Sequence, residues 1–188
     1  MHASEFIPPT LVPELPTERL LLRAFRPEDL PKFTALHQQP EFYRHLGGKP
    51  LSEEDTWRRL LTQIGHWALL GYGYWALEER ATGRFCGAVG LAEYHRDLTP
   101  SIDGIPEAGW VLDPRLHGKG YAAEAVRAAL AWADANLSVQ RTVCIIAPQN
   151  EPSLWLAARF GYREIARPTY HNEPIVLLER QISEAVNG

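Results

Sequence analysis

The sequence predicts an α/β protein, a single domain with a mixed central sheet of about seven strands flanked by helices on both faces. Three observations predict it. Short apolar or β-branched runs alternate with longer segments of helical periodicity, in the order β-α-α-β-β-β-α-β-α-β-β. The 188 residues are 45% hydrophobic and 22% charged, which is enough apolar side chain to bury one sizeable core. No internal repeat and no linker divides the chain.

Met1 to Pro16 is a Pro-rich leader containing Pro8, Pro9, Pro13 and Pro16, expected to be poorly ordered, and the domain is taken as residues 17–182. Arg19 to Arg23 reads as the first strand. Pro27-Glu28-Asp29-Leu30 opens a helix with Pro and acids in its first turn, running to about Gln38. A short helical piece from Glu41 to Leu46 ends at Gly47-Gly48. Ser52-Glu53-Glu54-Asp55 is a capping box with Asp in place of the usual Glu, and it starts a long helix carrying Trp57, Leu60, Leu61, Ile64 and Ala68 at helical spacing. Gly71-Tyr72-Gly73 ends that helix.

Strands from Tyr74 to Glu78 and from Phe85 to Leu91 are joined by an Ala81-Thr82-Gly83 turn, and the Gly and Ala residues of the second imply close packing or a bulge. Tyr94 to Pro106 is a polar, proline-broken loop. Glu107 to Leu112 is a strand, Thr142 to Ile146 a buried strand, Glu151 to Phe160 a short helix, and Glu164 to Thr169 and Ile175 to Arg180 the last two strands.

A formal charge of −4 gives no basic footprint, which argues against nucleic acid and anionic membrane surfaces as partners. No apolar run reaches the roughly 18 residues of a membrane span, and Met1 to Pro16 lacks the apolar core of a signal peptide, so a cytoplasmic protein is expected. Cys86 and Cys144 sit in strand-like apolar runs, where Cys packs as a small hydrophobe, and two thiols make no metal site.

The stretch that carries chemistry is Arg115-Leu116-His117-Gly118-Lys119-Gly120-Tyr121-Ala122. Asp113-Pro114 breaks the strand before it. Beyond it, apolar residues at 122, 126, 129, 130, 133 and 137 mark one helical face, while Glu124, Arg127 and Asp134 mark the other. Gly118 and Gly120 let the backbone bend and approach a ligand, leaving several N–H groups unpaired at a helix start, and such an end attracts anions.

Two devices share this pattern, beside a plain Gly-containing helix start. Gly118-Lys119-Gly120-Tyr121-Ala122-Ala123 satisfies the dinucleotide signature G-x-G-x-x-A, which wants its first Gly directly after the strand and an acid closing the next strand about 20 residues on. Here five residues separate Leu112 from Gly118, and Asp134 lies on the polar helix face. The longer pattern Arg-x-x-Gly-x-Gly remains.

That pattern resembles the pyrophosphate loop of the GNAT-family N-acetyltransferases, and further blocks extend the likeness. Thr17-Glu18-Arg19-Leu20, Arg26-Pro27-Glu28-Asp29, Gly71-Tyr72-Gly73-Tyr74-Trp75, Thr82-Gly83, Gly87-Ala88-Val89-Gly90, the loop with Glu124-Ala125, Asn150-x-x-Ser153 and Gly161-Tyr162 resemble the branch containing the ribosomal-protein N-terminal acetyltransferases. The resemblance spans roughly residues 17 to 180. It implies a GNAT-like fold and direct transfer, in a ternary complex, of an acetyl group from acetyl-CoA to a primary amine on a protein N-terminus or small molecule. No metal is implied, and a monomer or homodimer is expected, as members often are.

The same resemblance implies the site. Backbone amides of Leu116, His117, Gly118, Lys119, Gly120, Tyr121 and Ala122 would hold pyrophosphate, with Arg115 or Lys119 adding charge. Trp110, Val111 and Leu112 would present backbone to pantetheine, with Cys144 to Ala147 as the other wall, and Asn150 would hold pantetheine through its amide. Glu107 would take the amine proton through water, and Ser153 would donate to the departing thiolate. Many members place a Tyr acid seven residues after the Asn, but here that position is Ala157.

The residues themselves leave alternatives open. Ser153 after Asn-Glu-Pro also reads as a helix cap, and Glu107 as a solvated strand-end carboxylate. His45, His95 and His171 stand outside any motif. Phe42, Tyr43, Trp57, Trp67 and Tyr170 would line acceptor walls or the core, so the acceptor goes unnamed. A non-catalytic acyl-CoA-binding sensor is the alternative function.

Overall fold

The structure is a computed structural model that describes residues 12–43 and 48–182. The described residues fall into two compact units, the first drawn from residues before 91 and from 110–126, the second from 91–109 and from residues after 126. Among the described residues, ten strands, numbered in chain order, form one eight-stranded mixed sheet, in the order β1-β2-β3-β4-β5-β6-β10-β7, and a separate two-stranded ribbon, β8-β9.

In the first unit, β1 (Leu15–Pro16), β2 (Leu20–Arg23), β3 (Tyr74–Glu79) and the start of β4 (Arg84–Ala92) pair antiparallel in chain order. Strand β1 is an addition to the expected seven. Its residues belong to the stretch read as a leader, of which residues 1–11 lie outside the described set; Val12 is buried, and Trp75 donates its indole N–H to the Pro13 carbonyl at 2.8 Å. The expected first helix splits into a 3-10 turn, Pro27–Asp29, and α1 (Leu30–His37), because the Asp29 carboxylate folds back onto the buried Arg23 guanidinium and the Arg26 N–H. A short helix α2 (Pro40–Tyr43) follows.

Helix α3 (Glu53–Leu70) starts where the capping residues place it: Ser52 Oγ accepts the Asp55 N–H at 3.1 Å. It ends on Gly71 at φ 75°, whose N–H returns to the Trp67 carbonyl. Phe25, Phe33 and Phe85 cluster with centroid separations of 5.3, 6.2 and 5.9 Å, and Leu36, Leu60, Ala76 and Ala88 close the core around them. Each such Phe stabilises the unit by roughly 1.5–3 kcal/mol through burial.

The expected bulge is present. The β3/β4 register shifts between Leu77 and Glu78, opposite Cys86, and Gly87 beyond it adopts φ 142°. A Cβ on Gly87 would stand 2.1 Å from the Val111 carbonyl oxygen, so only glycine lets these backbones approach.

In the second unit, β6 (Arg141–Ile146), β10 (Val176–Gln181) and β7 (Arg163–Ala166) pair antiparallel. Leu98, Ile102, Val143, Ile175 and Leu177 form its core. The hairpin expected before β10 is elaborated by the ribbon of β8 (Thr169–Tyr170) and β9 (Glu173–Pro174), which turns through His171 and Asn172, both at positive φ. Strand β5 (Glu107–Leu112) has the bounds expected, and α4 (Tyr121–Asn136) leads from it to β6, which gives the sheet its parallel pair. No helix among the described residues is long and apolar enough to cross a membrane.

Candidate functional site

Asp113 and Pro114 end β5 and begin a 3-10 turn, Pro114–Leu116. The buried Asp113 carboxylate accepts the Arg115 backbone N–H at 3.0 Å and the Arg115 guanidinium at 2.5–3.0 Å. Burial works to raise the Asp113 carboxyl, and the hydrogen bonds and charge of Arg115 outweigh it and hold it below the usual carboxylate range. The charge of Arg115 is therefore already matched by Asp113. The His117 Nε2–H donates to the Leu112 carbonyl at 3.2 Å and pins the turn to the end of β5.

Gly118 and Gly120 then adopt φ of 71° and 83°, in the left-handed region. Residues alternating across that region turn successive N–H groups into one concavity. The Leu116 and His117 N–H groups, expected in the cradle, instead close the 3-10 turn on the Asp113 and Pro114 carbonyls at 2.9 and 3.1 Å, whereas from Gly118 to Ala123 no backbone N–H donates to another described residue, and Gly118, Lys119 and Gly120 are exposed. Accessible N–H groups at the head of a 16-residue helix make an anion cradle.

Glu124 is not the solvated residue expected on the polar helix face. Its side chain is only 12% exposed and accepts the Thr17 hydroxyl at 2.6 Å, the Arg19 backbone N–H at 2.7 Å and Arg19 Nε at 2.7 Å. Burial works to raise its carboxyl, and those hydrogen bonds outweigh it and hold it low. Arg19 also donates through Nη1 to the Lys119 carbonyl at 2.8 Å and lies 4.1 Å over the Tyr121 ring.

In the second unit, Glu107 is 6% exposed and engaged by Arg96 at both oxygens, at 2.6 and 2.8 Å. The solvated strand-end alternative for Glu107 thus fails. Burial works against the charge on Arg96, and the hydrogen bonds and charge of Glu107 outweigh it, raising the guanidinium above its usual range. Arg96 Nη1 donates to the Tyr170 hydroxyl at 3.2 Å, and the rings of Tyr94 and Tyr170 lie 4.6 and 5.1 Å from the guanidinium carbon.

The parallel ladder between β5 and β6 begins with the pair Glu107↔Val143, and Ala108 and Gly109 do not extend it. At the end of β6, Asn150 caps α5 (Glu151–Arg159): its Oδ1 accepts the Ser153 N–H at 3.3 Å. The Ser153 hydroxyl makes no hydrogen bond among the described residues, so the cap is Asn150 and Ser153 is the residue being capped. With Oδ1 engaged, the two Nδ2 hydrogens of Asn150 remain to donate.

Ala157 is fully buried and offers no hydroxyl where many members of the resembled family carry an acid. Cys144 is buried, its thiol pushed up by burial and by the charge of Glu107. His95 is exposed at φ 46°, and His171 stacks on Tyr170 with centroids 4.0 Å apart. His45 and the Phe42 side chain lie outside the described residues. Trp67 is core, donating to the Tyr74 carbonyl at 3.0 Å, whereas Trp57 is 38% exposed.

The model of the acetyltransferase (GNAT) domain matches residues 19–163, and the chain belongs to the GNAT family of N-acetyltransferases. A putative GNAT-family acetyltransferase from Bordetella pertussis superposes with a TM-score of 0.80 at 33% identity, over 89% of this chain and 99% of that one. A Bacillus licheniformis protein named as an uncharacterized N-acetyltransferase, p20, is 24% identical over 79% of this chain and 81% of its own length. The fold is also similar to that of RimL, the ribosomal L7/L12 alpha-N-protein acetyltransferase, solved with coenzyme A. That TM-score is 0.73 at 17% identity, over 90% of this chain and 98% of the other.

Proposed function

We propose that the protein moves an acetyl group from acetyl-CoA to a primary amine, a protein N-terminus or a small amine, by direct transfer in a ternary complex. The observation that carries this reading is the unbroken set of N–H groups from Gly118 to Ala123 that donate to no described residue. A dianionic pyrophosphate is the ligand that six such donors at a helix start fit. Since Arg115 is paired with Asp113, the loop backbone rather than that guanidinium is the main holder, with Lys119 adding charge from an exposed side chain.

The backbones of Trp110, Val111 and Leu112 and the Nδ2 of Asn150 take the pantetheine amides, as the family resemblance implies. The amine lone pair attacks the thioester carbonyl, the C–N bond forms, and the C–S bond breaks. The amine proton leaves through water to Glu107. Arg96 takes one lone pair on each Glu107 oxygen, and a carboxylate has others to receive that water. The Ser153 hydroxyl, unspent on the helix cap, donates to the departing thiolate. The proposed partners are acetyl-CoA and the amine, and the protein is a monomer or homodimer.

Calorimetry with coenzyme A and a coupled thiol-release assay over a panel of amines and N-terminal peptides test the reading together. Binding with release dependent on an added amine is expected. Binding without release from any amine would make the protein an acyl-CoA sensor, and absence of binding would remove the reading altogether.

A further inference from the structure

We propose that Arg19 is a positioning residue for donor binding: it fixes the peptide between Lys119 and Gly120 so that the Gly120 N–H faces the pyrophosphate. The inference rests on reading the loop as the pyrophosphate site. A peptide between Lys119 and a glycine at φ 83° can take either of two orientations at little steric cost, so something outside the loop must choose between them. Arg19 does so by binding the Lys119 carbonyl at 2.8 Å. That peptide is trans and planar, so fixing its carbonyl toward Arg19 turns the Gly120 N–H to the opposite side.

Arg19 is itself held on every side. Glu124 takes its Nε and its backbone N–H, both at 2.7 Å, and the Thr17 hydroxyl anchors the same carboxylate. The guanidinium rests 4.1 Å over Tyr121, whose hydroxyl donates to Glu79 at 3.0 Å, and the Arg19 carbonyl accepts the Arg80 N–H at 2.9 Å. A Cβ on Gly120 would lie 3.4 Å from Arg19 Nη2, which puts the guanidinium against the loop. An isolated exposed ion pair contributes little, but a fork joining a mostly buried carboxylate to a loop carbonyl transmits geometry.

The test compares two donors in steady state. Acetyl-CoA carries the pyrophosphate and S-acetylpantetheine does not, so the ratio of their kcat/KM values isolates the loop. In Arg19→Ala this ratio is expected to fall by about tenfold to a hundredfold, the range of one misaimed hydrogen bond to a charged group. Arg19→Lys keeps the charge, but one ammonium cannot bridge Glu124 and Lys119 together; it is expected to lower the ratio several-fold and carries the test if the alanine variant does not fold. An unchanged ratio in Arg19→Lys, or in a folded Arg19→Ala, overturns the assignment. Wild-type protein that binds no coenzyme A overturns the pyrophosphate reading itself, which separates the two failures.

Discussion

Replacing Asn150 and Ser153 separately by alanine distinguishes capping from catalysis at the start of α5. The Ser153 N–H donates to Asn150 Oδ1 at 3.3 Å and to the Asn150 carbonyl at 3.1 Å, so losing the side-chain cap costs at most about 1 kcal/mol. In a chain of 188 residues that lowers Tm by at most about 2–4 °C. The Ser153 hydroxyl has no partner among the described residues, so Ser153→Ala is expected to change stability by no more than about 0.5 kcal/mol. On the proposed role its effect falls on turnover instead: losing a donor to the leaving sulfur is expected to lower kcat by about 10- to 1000-fold, a barrier increase of roughly 1.4–4 kcal/mol. Thermal unfolding and thiol release at saturating amine, run on both variants, supply the two numbers. A Ser153→Ala protein that melts several degrees early yet turns over normally would refute both the cap assignment and the catalytic role.

Gly120→Asp forces a side chain into left-handed backbone, puts its carboxylate beside Arg19 Nη2, where it competes with the Lys119 carbonyl, and adds a negative charge to the loop, so its affinity for coenzyme A by calorimetry is expected to drop at least about tenfold; unchanged affinity would remove the loop from the site. Glu107→Gln is expected to reduce kcat/KM chiefly below neutral pH, where the amine is most protonated, and a pH-rate profile lowered uniformly would deny Glu107 its part as proton acceptor. His37 is buried, and burial first, then the charge of Arg59, lower its imidazole from 6.5 to about 4 against an opposing bond to the Phe33 carbonyl. The folded state therefore binds fewer protons than the unfolded state between those values. The contribution is fully present above pH 6.5 and is lost as pH falls toward 4, by up to about 3 kcal/mol. Denaturant midpoints across this range should slope less in His37→Leu.

Features set by neighbouring residues were legible in the sequence. Ser52 and Gly71 announce the ends of α3 through local hydrogen bonds, the strand over Glu107–Leu112 is bounded by Pro106 and Pro114, and the glycines of β4 give away its bulge. The glycine turn at Gly118 and Gly120 ahead of α4 was legible for the same reason. Features set by distant partners were not. Glu124 reads as solvated because periodicity sees only its own helix, whereas Thr17 and Arg19 reach it from 107 and 105 residues away. Arg96 is an ordinary loop cation until the fold brings it onto Glu107. Strand β1 is two residues long and ends in Pro, so its only signal is an indole bond from Trp75 to the preceding segment. At Asn150-Glu151-Pro152-Ser153 two capping residue types stand three apart, and only the backbone reveals that the helix begins between them.

The two cysteines have a practical consequence for studying this protein. Cys86 and Cys144 are 0% and 1% exposed, and burial pushes both thiols up, so neither presents a thiolate to solvent in the folded chain. A colorimetric disulfide reagent added to native protein with acetyl-CoA and an amine therefore reads the released coenzyme against a silent protein background. The same reagent without substrate becomes a probe of opening, since labelling of either sulfur requires the structure that buries it to open. One chromophore thus follows turnover in the folded molecule and the loss of that fold, distinguished only by whether a donor is present.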